Sequence, residues 1–197
     1  MAGETLHRSD GLSSTMTPGT WASAIGVIAV VLGLLLAASH ANEWMKQRVI
    51  QASTPASQQL PAADCPQDEL EEEGLTLAEC EHLVARVQAY VLTAPSWFPP
   101  TQSLLSAIGT LAALLSVVAG AALVNLRQWG PRLATAVFAL LLLIDASQFT
   151  AAVNAGPILR SEYLWPTLLW FALHLMLLMA CVAAFQSRHL GAKGRTG

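Results

Sequence analysis

The chain has 197 residues, of which 54% are hydrophobic and 12% charged, and a formal net charge of -3 at pH 7. That balance is too apolar for an ordinary soluble domain, and a net-negative chain is poorly suited to neutralising phosphates, so nucleic acid is not an expected partner. The composition reads as all-α: an integral membrane four-helix bundle, with an amphipathic helix in the large outer loop between helices 1 and 2.

Crossing the hydrocarbon takes about 20 mostly apolar residues in a helix. After a polar tail over 1–20, the first such segment is 21–41, Trp21 to Ala41. Arg8, the apolar run and the small-x-small sequence Ser39-His40-Ala41 imitate a cleavable signal peptide. The apolar run is longer than the usual h-region of about 7–15 residues, so an uncleaved helix is expected.

The outer loop over 42–101 has three parts. Gln51 to Ala63 (QASTPASQQLPAA) is polar, contains proline and lacks periodicity, which marks a linker. Asp68 to Glu73 (DELEEE) is an acidic run that lacks the alternating ligands and turn glycine of a calcium loop, so a solvated loop is expected. From Thr76 the apolar residues Leu77, Cys80, Leu83, Val84, Val87 and Val91 recur at helical spacing, giving an amphipathic helix over about 77–92. Thr76 with Glu79 makes a capping box, and Pro95 marks the far end. The stripe lies across the mouth of the bundle or on headgroups, or else docks a partner protein.

Cys65 and Cys80 fall in this loop, where an oxidising environment permits a disulfide; the alternative is a buried, inert Cys80 thiol. A membrane thiol oxidoreductase needs a closely spaced reactive pair such as C-x-x-C, and none occurs.

The remaining spans are 102–126, 132–153 and 164–185, with a short outer loop over 154–163 and a basic tail over 186–197. If both termini are cytoplasmic, that side holds Arg8, Arg127, Arg132, Arg188, Lys193 and Arg195, against Lys46, Arg48, Arg86 and Arg160 outside. The bias follows the positive-inside rule, and Trp21 and Trp129 at one interface with Trp44, Trp97, Tyr163 and Trp165 at the other agree with it. The expected location is a cell (inner) membrane, multi-pass, with both termini cytoplasmic.

Ala29, Gly33 and Ala37 on helix 1, and Ala112, Ser116 and Gly120 on helix 2, recur every four residues. Such small residues let membrane helices approach closely, so these two helices are expected to pack on each other.

Asp145 interrupts one of the most apolar stretches, LLLLIDASQFT. Counted from the outer end of its span it lies roughly 12 Å deep, and His174 on the antiparallel last span lies roughly 15 Å deep, within one helical turn. Thr110 falls near the same level and Gln148 one turn outward from Asp145, and the two would complete a polar layer. An ionised carboxylate in hydrocarbon costs several kcal/mol unless paired, hydrated or protonated. The pair therefore either staples two helices or serves a proton or ion relay, or a polar substrate site.

No phosphate loop, zinc-protease motif or serine nucleophile arrangement occurs, so no catalytic residue, metal or cofactor is assigned. Bis-histidine haem would need two histidines at one depth, and His40 reads as lying at the outer end of its helix. Four helices with a large first outer loop are similar in topology to claudins and tetraspanins, but neither W-x-x-x-x-W-C nor C-C-G is present, and topology alone implies no function. Two readings follow: a non-catalytic accessory or interaction subunit of a larger membrane complex, or a small transport or proton-coupled protein built on Asp145 and His174. The expected partners are the lipid bilayer and a membrane protein or a second copy of the chain.

Overall fold

A computed structural model describes residues 18–53 and 65–193. Most of the polar N-terminal tail, the linker over 54–63 and residues 194–197 of the basic tail lie outside the described residues. The described chain is all-helical: α1 (Pro18–Ser53), α2 (Gln67–Glu73), α3 (Leu77–Thr93), α4 (Phe98–Val124), α5 (Gly130–Asn154) and α6 (Pro157–Lys193). Four of these, α1, α4, α5 and α6, are long and apolar enough to cross a membrane.

The four long helices form a bundle in the order α1, α4, α5, α6 around a common core, with α1 packed most extensively on α4 and α1 and α6 touching only sparsely. Its core mixes large side chains such as Leu36, Phe138 and Leu141 with many small ones. Ala29, Ala112, Ala113, Ala119 and Ala134 are almost wholly buried, whereas Leu111, Leu143, Met176 and Met179 are more than 60% exposed. In water such a surface would be an aggregation liability. In a bilayer it is the lipid-facing surface of a multi-pass membrane protein, and the small residues inside are what let its helices approach.

The glycines fix how α1 meets α4. A Cβ on Gly26 would come within 2.6 Å of the Gly120 carbonyl oxygen, and one on Gly109 within 2.6 Å of His40 Nε2. A Cβ on Gly33 would collide with Ser116 Oγ. Numbers rise along α1 as they fall along α4, so the pair is antiparallel, and α1 presents Gly26, Gly33 and His40 at intervals of seven. The four-residue series meets the same interface: Ala29 and Ala37 are buried on α1, and Ala112, Ser116 and Gly120 on α4.

Three boundaries differ from the sequence expectation. Helix α1 does not stop at Ala41 but continues to Ser53, because Asn42 to Gln51 contains no glycine or proline to end it. Apolar length bounds what sits in hydrocarbon, not where a helix ends. The acidic run expected as a loop is α2, which starts after Pro66 and ends at Gly74, whose left-handed φ of 69° allows Leu75 N–H to reach the Leu70 carbonyl at 2.9 Å. The segment 154–163, expected as a loop, is a tight turn at Ala155 and Gly156 (φ 103°), and α6 begins at once with Pro157 in its first turn.

Helix α3 starts with the expected capping box. Thr76 Oγ1 accepts from Glu79 N–H, and the Glu79 carboxylate accepts from Thr76 N–H at 2.8 Å. A disulfide joins Cys65 to Cys80, tying the segment before α2 to the first turns of α3. The C-terminal half of α3 then lies across one end of the bundle, where Tyr90 packs with Phe98, Ala151, Ala155 and Leu159. Leu83 and Val87 on the earlier turns are half exposed. This end is called the α3 end below, and the opposite one the terminal end.

Candidate functional site

Polar side chains collect in the half of the bundle near α3. On α5, Asp145 is 1% exposed, and on α6, His174 is 2% exposed. His174 Nδ1 and Asp145 Oδ2 are 2.6 Å apart. An ionised carboxylate only accepts, so opposite one the Nδ1 carries the proton and donates. Trp170, one turn earlier on α6, stacks on the imidazole with ring centroids 5.9 Å apart and planes inclined by 21°. The histidine is thus held on two sides, by a hydrogen bond and by a ring.

His40 lies beside this pair. Because α1 runs on well past Ala41, His40 is not at a helix end but inside the bundle, 6% exposed and within electrostatic reach of Asp145, His174 and Glu43. Its Nε2 has no hydrogen-bond partner, and only a glycine at 109 leaves room for the ring. Ser106 Oγ, on the same face of α4 as Gly109, is also buried without a partner. Of the other residues at this level, Thr110 turns its hydroxyl back to the Ser106 carbonyl at 2.9 Å, and Gln148 is 9% exposed.

Closer to the α3 end, a second network joins α1, α3 and α6. Glu43 Oε1 accepts from Gln47 Nε2 and from Tyr163 OH, both at 2.7 Å. Gln47, wholly buried, also donates to Tyr90 OH at 2.6 Å. Burial pushes the Tyr90 phenol above its ordinary pKa, which keeps the hydroxyl protonated. The Lys46 ammonium sits over the Tyr90 and Tyr163 rings, 5.2 and 5.3 Å from their centroids. It lies 3.8 Å from a Glu43 oxygen and 3.6 Å from one of Glu162, and donates to Tyr163 OH at 3.2 Å.

Between these networks is a cavity of about 240 Å³, lined by His40, Glu43, Lys46, Gln102, Gln148 and Trp170 among others. Pro166 is also in its wall. Having no N–H, it leaves the Glu162 carbonyl without the usual helical donor and adds a polar atom beside the cavity. The cavity spans from half-exposed groups, Lys46 and Glu162, to buried ones, His40 and Gln102.

Toward the terminal end the core formed by the described residues is apolar. The core there is Ala119, Leu123, Ala134, Val137, Phe138, Leu141 and Cys181, and the one buried hydroxyl on that α4 face, Ser116, is spent on its own helix at Ala113 O. Among the described residues no group of three His, Cys, Asp or Glu is placed to hold a metal ion. Among the described residues the hydrogen-bond partner of His174 is Asp145.

Sequence reasoning named Asp145, His174, Thr110 and Gln148 but missed His40, Gln102, Ser106 and the Glu43–Gln47–Tyr90–Tyr163 network. The spacing of Gln102, Ser106 and Gly109, on one face of a helix, was the readable signal. Comparison with protein-family models, with curated proteins and with solved structures gave no match.

Proposed function

We propose that the protein is a non-catalytic subunit of a membrane assembly, one that binds rather than conducts. The observation that carries this reading is the blind end of the polar layer. The polar groups run from Lys46 and Glu162 down to Asp145 and His174 and meet a close-packed apolar floor around Phe138 and Leu141. A proton or ion path needs polar groups or water through the whole bilayer, and one acid and one base above an apolar floor provide only half of it. The Asp145–His174 pair then staples α5 to α6, behind the cavity walls formed by His40, Gln148 and Trp170. In this reading both termini are cytoplasmic in a cell (inner) membrane, as the arginine and lysine bias suggests, and the second polypeptide is another membrane protein.

One observation favours the alternative, a proton-coupled protein: His40 extends the Asp145–His174 pair toward the cavity and gives the layer a third titratable member. The test separates the two. Purified protein is reconstituted into vesicles with a pH-sensitive dye inside and an imposed pH gradient, alongside an Asp145→Asn variant that keeps hydrogen bonding without the charge. The subunit reading expects the same slow leak from both, and a second membrane polypeptide that co-purifies in mild detergent from native membranes. Proton flux that Asp145→Asn abolishes in an intact protein would establish the relay instead.

A further inference from the structure

We propose that the cavity at the α3 end is a binding site for a small organic cation, an ammonium group carried by a free amine or by a lipid headgroup. The proposal deepens the binding-subunit reading and rests on it.

The charge around the cavity sets the sign of the ligand. Two carboxylates, Glu43 and Glu162, face one permanent cation, Lys46. Asp145 lies behind them, already matched by His174. An anion would meet a net negative wall; a cation is favoured.

A second observation fixes the kind of cation. The Lys46 ammonium sits over two tyrosine rings and between two carboxylates, a combination of ring faces and acids that suits ammonium groups. Its carboxylate distances, 3.8 and 3.6 Å, are longer than charge-assisted hydrogen bonds of about 2.7–2.9 Å, so Lys46 saturates neither Glu162 nor the second oxygen of Glu43, whose Oε1 is taken by Gln47 and Tyr163. The chain's own lysine stands in the seat that a ligand ammonium fits.

Buried acceptors wait deeper in. Gln102 and Gln148, 4% and 9% exposed, line the cavity and make no side-chain hydrogen bond among the described residues. His40 Nε2, in the same wall, is buried without a partner, which is rare for a polar group, and the glutamine amide oxygens suit the N–H donors of an ammonium. Size limits the ligand too. At about 240 Å³ the cavity is below the roughly 300–1,000 Å³ of sites for drug-sized molecules. A metal ion fits less well, since no cluster of three suitable ligands is present among the described residues.

The test uses the purified full-length protein in lipid nanodiscs, with ethanolamine and methylammonium as probes and acetate as the anion control, read by calorimetry. Saturable binding of the amines and none of acetate is expected. Glu43→Gln, which keeps an acceptor for Gln47 and Tyr163, should weaken it at least tenfold, and Lys46→Met, which empties the seat, should strengthen it several-fold. Should Glu43→Gln fail to give a monodisperse protein, Glu162→Gln takes its place, since among the described residues Glu162 pairs only with Lys46, at the half-exposed rim. Amine affinity that is equal in phosphatidylglycerol and phosphatidylethanolamine discs identifies a free amine; affinity suppressed by phosphatidylethanolamine identifies a headgroup. Absence of saturable amine binding in Lys46→Met, indifference to Glu43→Gln and Glu162→Gln, or preferential acetate binding overturns the proposal. A failure here leaves the vesicle flux result unchanged, so the two readings fall separately.

Discussion

Removing one member of the buried Asp145–His174 pair should cost more than removing both. The two atoms are 2.6 Å apart, and the side chains are 1% and 3% exposed. Asp145→Leu leaves the His174 Nδ1 with no acceptor, a penalty of about 1–3 kcal/mol for a buried unsatisfied group. The bond's net worth is smaller, because interhelical hydrogen bonds in membrane bundles average about 0.6 kcal/mol with a maximum near 1.7. Asp145→Leu with His174→Leu forfeits only that smaller quantity and strands nothing. With about 2–4 °C of melting temperature per kcal/mol for a chain of this size, the single variant should melt about 2–12 °C lower in detergent. The double variant should melt above at least one of the two singles. The full cycle, with His174→Leu as the other single, should return a coupling of about 1 kcal/mol or more. Additivity within about 0.5 kcal/mol would mean that the two residues do not act as a pair, and the staple would have to be abandoned.

Gly120→Ala should destabilise the bundle by more than the ordinary helix-propensity gain can offset, since its Cβ would lie 2.6 Å from the Gly26 carbonyl oxygen; a higher melting temperature would contradict the α1–α4 register. Without reductant, a thiol reagent applied to denatured protein should label Cys181 alone, and after reduction all three cysteines; the 15-residue separation suggests that reduction costs about 3 kcal/mol. Glu79 is held below its ordinary pKa by the Thr76 backbone N–H, so its contribution is present above pH 4.5 and lost as the pH falls through the lower folded-state value; amide exchange in the first turn of α3 should rise there, and Glu79→Gln should remove that dependence. Reporter fusions after Lys193 should indicate cytoplasm and fusions at Gln58 the opposite side; the reverse pattern at either position refutes the orientation.

What the sequence made legible followed from costs that act locally. A charged residue in an apolar run is expensive wherever it sits, so Asp145 stood out, and counting residues brought His174 to its depth. The capping box was readable because its two partners are three residues apart, and the cysteine pair because few arrangements of three cysteines exist. The His40 environment was not readable, since the end of the apolar run was taken for the end of the helix, and α1 carries on to Ser53 with ordinary helix formers. Apart from Glu43 with Gln47, the network at the α3 end joins residues 43 to 120 positions apart, and such pairings leave no local trace. The glycine interface was half visible: the four-residue series lies in it, but the closest approaches recur every seven residues on α1, the spacing of a continuous helical seam.

The two halves of the bundle are built to different ends, and the cost of one argues for its use. Toward the termini, alanines and glycines bring backbones together and large aliphatic side chains face lipid, which is enough to make a stable bundle. Near α3 the same helices carry His40 Nε2, Ser106 Oγ and Gln47 Oε1 buried without partners, at about 1–3 kcal/mol each. An apolar residue at any of these positions would relieve that cost, and the neighbouring turns show that such packing is available. A helix staple needs only Asp145 and His174. The unmatched His40, in the wall of a cavity that Gln102 and Gln148 also line and that has an acidic and aromatic mouth, is what a site for a polar ligand requires and what a purely structural core would lack.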